Sequence, residues 1–284
     1  MKKTDCIAES EPATVGISFK NIETSRVLSV VIISQVCSGI ATIVRGRLKF
    51  RWAACLSVFY WYTCLSVRFD EYTQRLRERL RRPLPGREAQ RRMTPRGRLR
   101  AGYESPPRDA RYGAVLILLL PPRRAGSLTE EAGPAVPLIA RIDDGTAHGG
   151  QIGLPGGGFE EGDDFPVGTA LREAEEEIAA SPEKVAVLGR LTPLYISVSN
   201  YHITPVVGTY AGRGEDFRPN PAEVDAVVLT GVDEMIAGRT MRTVDARGLA
   251  LRVPAYVTDT AAVWGATAMM LSEFFVVHLE LTEG

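Results

Sequence analysis

The sequence predicts one mixed α/β layered domain, with helices flanking a sheet, preceded by a stretch of different character. Three observations carry this. Apolar runs of strand length outnumber helical patterns from residue 112 onward, and amphipathic helical patterns stand before, among and after them. The strands and helices do not alternate strictly enough for an all-parallel doubly wound sheet. With 284 residues and 45% apolar content, the chain can fill a sizeable core.

Each element has its own reason. Residues 68–82 place Phe69, Tyr72, Leu76 and Leu80 at intervals of three and four among arginines, the pattern of an amphipathic helix, and Pro83 ends it. Residues 112–120 are continuously apolar, too short to cross a membrane, and stopped by Pro121 and Pro122, so they read as a strand buried on both faces. Further strands are expected at 137–141, 185–188, 194–198, 202–210, 226–230 and 250–253. A helix over about 166–180 buries Leu171, Ala174 and Ile178, with Asp163 or Asp164 able to cap it. A C-terminal helix over 261–281 presents Trp264, Met269, Leu271, Phe274, Phe275 and His278.

Residues 1–67 differ in composition. All four cysteines (Cys6, Cys37, Cys55, Cys64) and four of the five lysines fall there, whereas Arg supplies nearly all positive charge beyond it. Apolar runs at 27–44 and 52–67 flank a basic stretch, as in a membrane hairpin, but the first carries several polar residues and the second is short for a span. Three readings stay open: a coding start near Val67, a membrane segment, or a further soluble extension. Domain boundaries are therefore expected at 1–67 and 68–284, and any membrane contact is confined to residues 27–67.

Composition excludes several classes of function. The 34 acidic and 34 basic residues cancel, so no global charge draws the chain to nucleic acid, and none is expected as a partner. From 68 to 100, twelve Arg face Asp70, Glu71, Glu78 and Glu88, a local surplus that most simply forms a solvated surface. Four cysteines confined to the first 67 residues and three histidines in the whole chain rule out a disulfide scaffold and argue against thiol or zinc chemistry in the main body. Carboxylates and arginines remain.

They gather in residues 148–180. The glycines Gly156, Gly157 and Gly158 allow a backbone path closed to other residues, and on the helix that follows Glu173, Glu176 and Glu177 stand at i, i+3 and i+4, so their carboxylates share a face. Mutual repulsion raises their pKa values, and a hard divalent cation, Mg²⁺ or Mn²⁺, relieves that cost. Such a site suits hydrolysis of a phosphoanhydride. Arg172 can pair with Glu176 and restrain it. Glu177→Gln is expected to leave the fold intact, as a change on an exposed face.

The run Gly158-x5-Asp164-x7-Arg172-Glu173-Ala174-x-Glu176-Glu177-x-Ala179 resembles the Nudix box, the loop–helix–loop motif of hydrolases acting on nucleoside diphosphates linked to another moiety. Asp164, or Asp163 if the loop holds one extra residue, stands where the box has an early Glu, and Ala179 where it has Gly. The wider sequence is similar to the coenzyme A diphosphatase branch. It shares His148-x-Gly150-Gln151 before Pro155-Gly156-Gly157, Leu194-Tyr195-Ile196-x-Val198-Ser199 after the box, and also Pro83-Leu84-Pro85-Gly86, Pro205-Val206-Val207-Gly208 and Trp264-Gly265-Ala266-Thr267-Ala268.

The resemblance implies a Nudix-like α/β/α sandwich with a mixed sheet. It implies hydrolysis of coenzyme A or its thioesters to 3′,5′-ADP and 4′-phosphopantetheine, the alternatives being another nucleotide substrate such as ADP-ribose, or a binding module without turnover. Glu173 and Glu177 would be metal ligands, with Glu176 a third ligand or the group that orients water, assisted by Arg172. Arg141, His148, Gln151, Gly156 and Gly157 are candidates for holding substrate, Arg141 through the 3′-phosphate. The partner is a small-molecule nucleotide, a homodimer is compatible with the family, and the location is the cytoplasm, with membrane anchoring if the extension is real.

Overall fold

A computed structural model describes residues 42–44, 47–49, 69–95, 106–122, 133–143, 145, 149–246 and 249–283. The chain divides into two units, Met1–Tyr62 and Thr63–Gly284. In the first, β1 (Thr42–Val44) pairs antiparallel with β2 (Arg47–Lys49), so the end of the first apolar run is extended backbone. Residues 27–41 and 52–67, the rest of the expected membrane hairpin, lie outside the described residues. Among the described residues no helix is long and apolar enough to cross a membrane.

The second unit follows the order α1 (69–79), α2 (Gly86–Arg91), β3 (Arg111–Leu119), β4 (Ala135–Arg141), β5 (Ile152–Gly153), β6 (Gly156–Gly158) and α3 (Val167–Ile178). It continues through β7 (Val185–Arg190), β8 (Leu194–Ile196), β9 (Tyr201–Tyr210), β10 (Val224–Gly231), α4 (Val232–Ala237), β11 (Arg239–Ala246), β12 (Leu249–Val257), β13 (Ala262–Trp264) and α5 (Gly265–Thr282). The central sheet runs β6–β3–β9–β7, with β8 also on β9; β3 and β9 are parallel and the remaining pairs antiparallel, so the sheet is mixed. A second sheet, β10–β4–β5, joins it through a bridge between Leu120 and Ala135, and a third is formed by β11–β12–β13.

Alternation along β3 builds the layers. Ala114, Leu116 and Leu118 pack in one cluster with Ala170, Ala174 and Ile178 of α3. Val115, Ile117 and Leu119 pack in the other, with Leu76 of α1 and Leu271, Phe274 and Phe275 of α5. A strand covered on both faces needs apolar residues at every position, which is why it appears as an unbroken run. The result is the α/β/α sandwich with a mixed sheet. On α3 the buried stripe runs through Ala170, Ala174 and Ile178, while Leu171 is half-buried. The helix ends where Ala179 takes φ +55 and the Ala180 N–H returns to the Ala174 carbonyl.

Two polar knots tie α5 to its surroundings. Glu273, fully buried, accepts hydrogen bonds from the Gly86 N–H (3.0 Å), Gln90 Nε2 (2.9 Å) and Thr192 Oγ1 (2.7 Å), satisfying a carboxylate that would otherwise be costly to bury. His278, also buried, bridges Tyr72 of α1 (2.8 Å) and Asp233 of α4 (2.9 Å). Burial raises the Tyr72 phenol well above its ordinary value, with the Asp233 charge adding to the effect, so it stays protonated.

Candidate active site

The glycine run is a strand that only glycine can make here. A Cβ on Gly156, whose φ is +147, would collide with the Ala114 carbonyl and Val115, and one on Gly157 would fall 2.5 Å from Glu173 Oε2. Side chains there would push β6 off β3 and displace Glu173. The turn thus sets the first turns of α3 directly against the sheet edge, beside a cleft of about 550 Å³. Glu173, Glu176 and Glu177 all line this cleft, with Arg141, Gln151, Gly156 and Gly157. His148 lies outside the described residues.

The three carboxylates have different surroundings. Glu177 is only 1% exposed; it accepts the Gly156 N–H at 2.8 Å and pairs with Arg141 at 3.1 Å, while Arg141 Nη2 also donates to the Gly156 carbonyl at 2.9 Å. The expectation of an exposed face is therefore corrected: α3 packs close enough to β3 to bring Glu177, in its third turn, inside. Burial pushes the Glu177 carboxyl up to about 7, against the opposing pull of Arg141 and the Gly156 N–H, and Glu173 and Glu223 add smaller repulsions. Glu173 is raised too, again first by burial, with Arg172 opposing it. Desolvation, more than the mutual repulsion expected from spacing, raises both. Glu176 is half-exposed.

Arg172 reaches further than its pairing with Glu176 (3.0 Å). It also donates to Asp163 through Nε and Nη2 (both 3.1 Å) and to the Gly158 carbonyl (2.9 Å), and it lies 3.1 Å from Glu173 Oε1. A planar fork with five N–H donors suits such a set of acceptors. Asp163 in turn accepts from Thr169 Oγ1 (2.9 Å) and the Glu160 N–H (3.1 Å), and its bonds with Arg172 above all hold its carboxyl down at about 2. Of the two aspartates, Asp163 is the one that engages Arg172. Neither aspartate caps the helix: Pro166 occupies the N-cap without a side-chain bond.

Spacing alone did not reveal Glu160, Tyr201 and Glu223, which also border the cleft. Glu223 arrives because the Asn220 N–H bonds the Glu177 carbonyl at the end of α3, a long-range contact without a local signal. Of the segment 194–199, Ile196 and Ser199 line the cleft, whereas the Tyr195 hydroxyl bonds Asn200 and Val198 is exposed. The donors offered by the helix are all oxygen, the chemistry of a hard divalent cation. Among the described residues no three acidic or imidazole groups are gathered at ligating distance of one point, since Arg172 and Arg141 hold the carboxylates.

The profile of the NUDIX domain matches residues 119–250. A protein of Pectobacterium atrosepticum named uncharacterized Nudix hydrolase NudL is 38% identical over 142 residues, covering 49% of this chain and 73% of that protein. One of the same name from Photorhabdus laumondii is 33% identical over 165 residues, covering 54% and 87%. Among solved structures, the Nudix hydrolase RenU of M. smegmatis is similar with a TM-score of 0.42 at 18% identity, over 60% of this chain and 87% of that one. The chain belongs to the Nudix hydrolase family and is a pyrophosphohydrolase of that family.

Proposed function

We propose that the chain hydrolyses the pyrophosphate of coenzyme A or its thioesters, giving 3′,5′-ADP and (acyl-)4′-phosphopantetheine, with 68–284 as the catalytic unit and 1–67 as an extension outside it. One observation supports this substrate over others. Three of the five segments that carry the coenzyme A branch resemblance contribute Gln151, Ile196 and Ser199, and Ala266 and Thr267, to the wall of the same cleft as the helix carboxylates.

In this reading Glu173 and Glu177 would hold Mg²⁺ or Mn²⁺, with Glu176 as a third ligand or as the group that orients water. The ion would supply charge neutralisation for the pyrophosphate and make an attacking water more acidic. Arg172 fixes Glu173 and Glu176 relative to the Gly158 carbonyl, and so sets the helix against the loop. In the same reading Glu176, the most exposed of the three, takes a proton from a water approaching phosphorus. Water adds across the P–O–P bridge and two phosphomonoesters leave. Incubation of the full chain with coenzyme A and Mg²⁺ or Mn²⁺, followed by chromatography, is expected to show 3′,5′-ADP. Turnover of ADP-ribose but not coenzyme A would reassign the substrate, and inertness toward every pyrophosphate would make the chain a binding module.

A further inference from the structure

Beside the cleft lies a second depression of about 440 Å³, and Gln151 and Ile152 belong to the walls of both. Its far side is the β11–β12 hairpin, which contributes Arg242 and Val244, and its floor includes Ala262 and Trp264. Arg242 is exposed and borders the depression together with Thr243 and Val244. Asp245 borders it too.

Three arginines border the two cavities: Arg141, Arg172 and Arg242. The first is bound to Glu177 and the Gly156 carbonyl, the second to Asp163, Glu173, Glu176 and the Gly158 carbonyl. Arg141, the sequence's candidate for a 3′-phosphate, is thus already engaged. The side chains of Arg242 and Trp264 have no hydrogen-bond, ion-pair or ring partner among the described residues. An exposed guanidinium and a half-buried indole on one concave surface match a phosphomonoester and an aromatic base, through paired donors and ring stacking.

We propose that this depression is the subsite for the nucleoside end of the substrate, with the base on Trp264 and a ribose phosphomonoester on Arg242, the chain passing over Gln151 and Ile152 to the carboxylates. The inference rests on the coenzyme A reading and deepens it: Arg242 selects for the extra phosphate.

Steady-state kinetics of the full chain on coenzyme A and on 3′-dephospho-coenzyme A test it. The wild type is expected to show a KM for the dephospho substrate about tenfold higher. Arg242→Ala should raise KM for coenzyme A about tenfold at unchanged kcat and leave the dephospho substrate untouched; Trp264→Ala should raise KM for both, with Trp264→Phe close to wild type. Turnover of coenzyme A with the substrate preference intact in Arg242→Ala would overturn the subsite and leave the activity standing. If coenzyme A is not turned over, the activity reading fails, and calorimetric titration of 3′,5′-ADP against 5′-AMP decides the subsite. A preference for 3′,5′-ADP that Arg242→Ala abolishes supports it, and equal affinities overturn it.

Discussion

Replacing Glu177 by Gln should cost activity and remove one source of the protein's loss of stability at rising pH. The folded state holds the Glu177 proton up to about 7, against an ordinary value of 4.5, because the carboxyl is buried. The folded chain therefore binds that proton more tightly than the unfolded chain. Its contribution to stability is fully present below pH 4.5 and is lost as pH rises through 7. At about 1.4 kcal/mol per tenfold change in proton affinity, the loss between pH 5 and 8 is about 2.5 kcal/mol. Glutamine keeps an oxygen for the Gly156 N–H but carries no titrating proton, so the stability gap, wild type minus variant, should fall by that amount over the same range. Urea unfolding of both proteins in EDTA at pH 5, 6, 7 and 8 measures it, and titrating groups remote from Glu177 cancel in the difference. A gap that is flat, or that widens with pH, would refute the buried ionisation. Hydrolysis by Glu177→Gln should fall roughly 100-fold in the same preparations.

The acids before the helix separate by a pair of variants: Asp163→Ala frees Arg172 and Thr169 and should lower kcat roughly tenfold or more, whereas Asp164→Ala should stay near wild type in the same assay. Below pH 4 the wild type should also lose stability as Asp163 takes up its proton, since its carboxyl is held down at about 2 when folded, and Asp163→Ala should show less of that loss in acid titration. Ala179→Gly removes the strain of a left-handed alanine at the end of α3. It should raise stability by about 0.5–1 kcal/mol, read as a higher Tm.

Much of this architecture was legible, and the gaps have physical causes. β3, β9 and α1 stood out because burial forces a pattern on their residues. β5 and β6 did not, since Ile152–Gly153 and Gly156–Gly158 have little strand propensity of their own and are extended only because β4 and β3 pair with them. β11 was missed because its described side chains are exposed or half-buried, leaving no alternation to read. β13 was absorbed into the helix expected at 261–281, its Ala262, Val263 and Trp264 being as apolar as the helix they precede. At the site, spacing identified the three glutamates and the Arg172–Glu176 pair. It placed Glu177 outside when it lies within, because the depth of a helix face is set by how closely the partner sheet approaches. The glycines of β6 allow that approach.

The shared guanidinium of Arg172 has a consequence for how the loop and the helix hold together. Neighbouring carboxylates on one helix face repel one another, and a tethered positive group set among them offsets that repulsion from within the chain. Because the same fork also grips Asp163 and the Gly158 carbonyl, a single side chain rivets the end of the glycine strand to the helix. Removing it would loosen both partners at once, so strand and helix depend on one hinge pin.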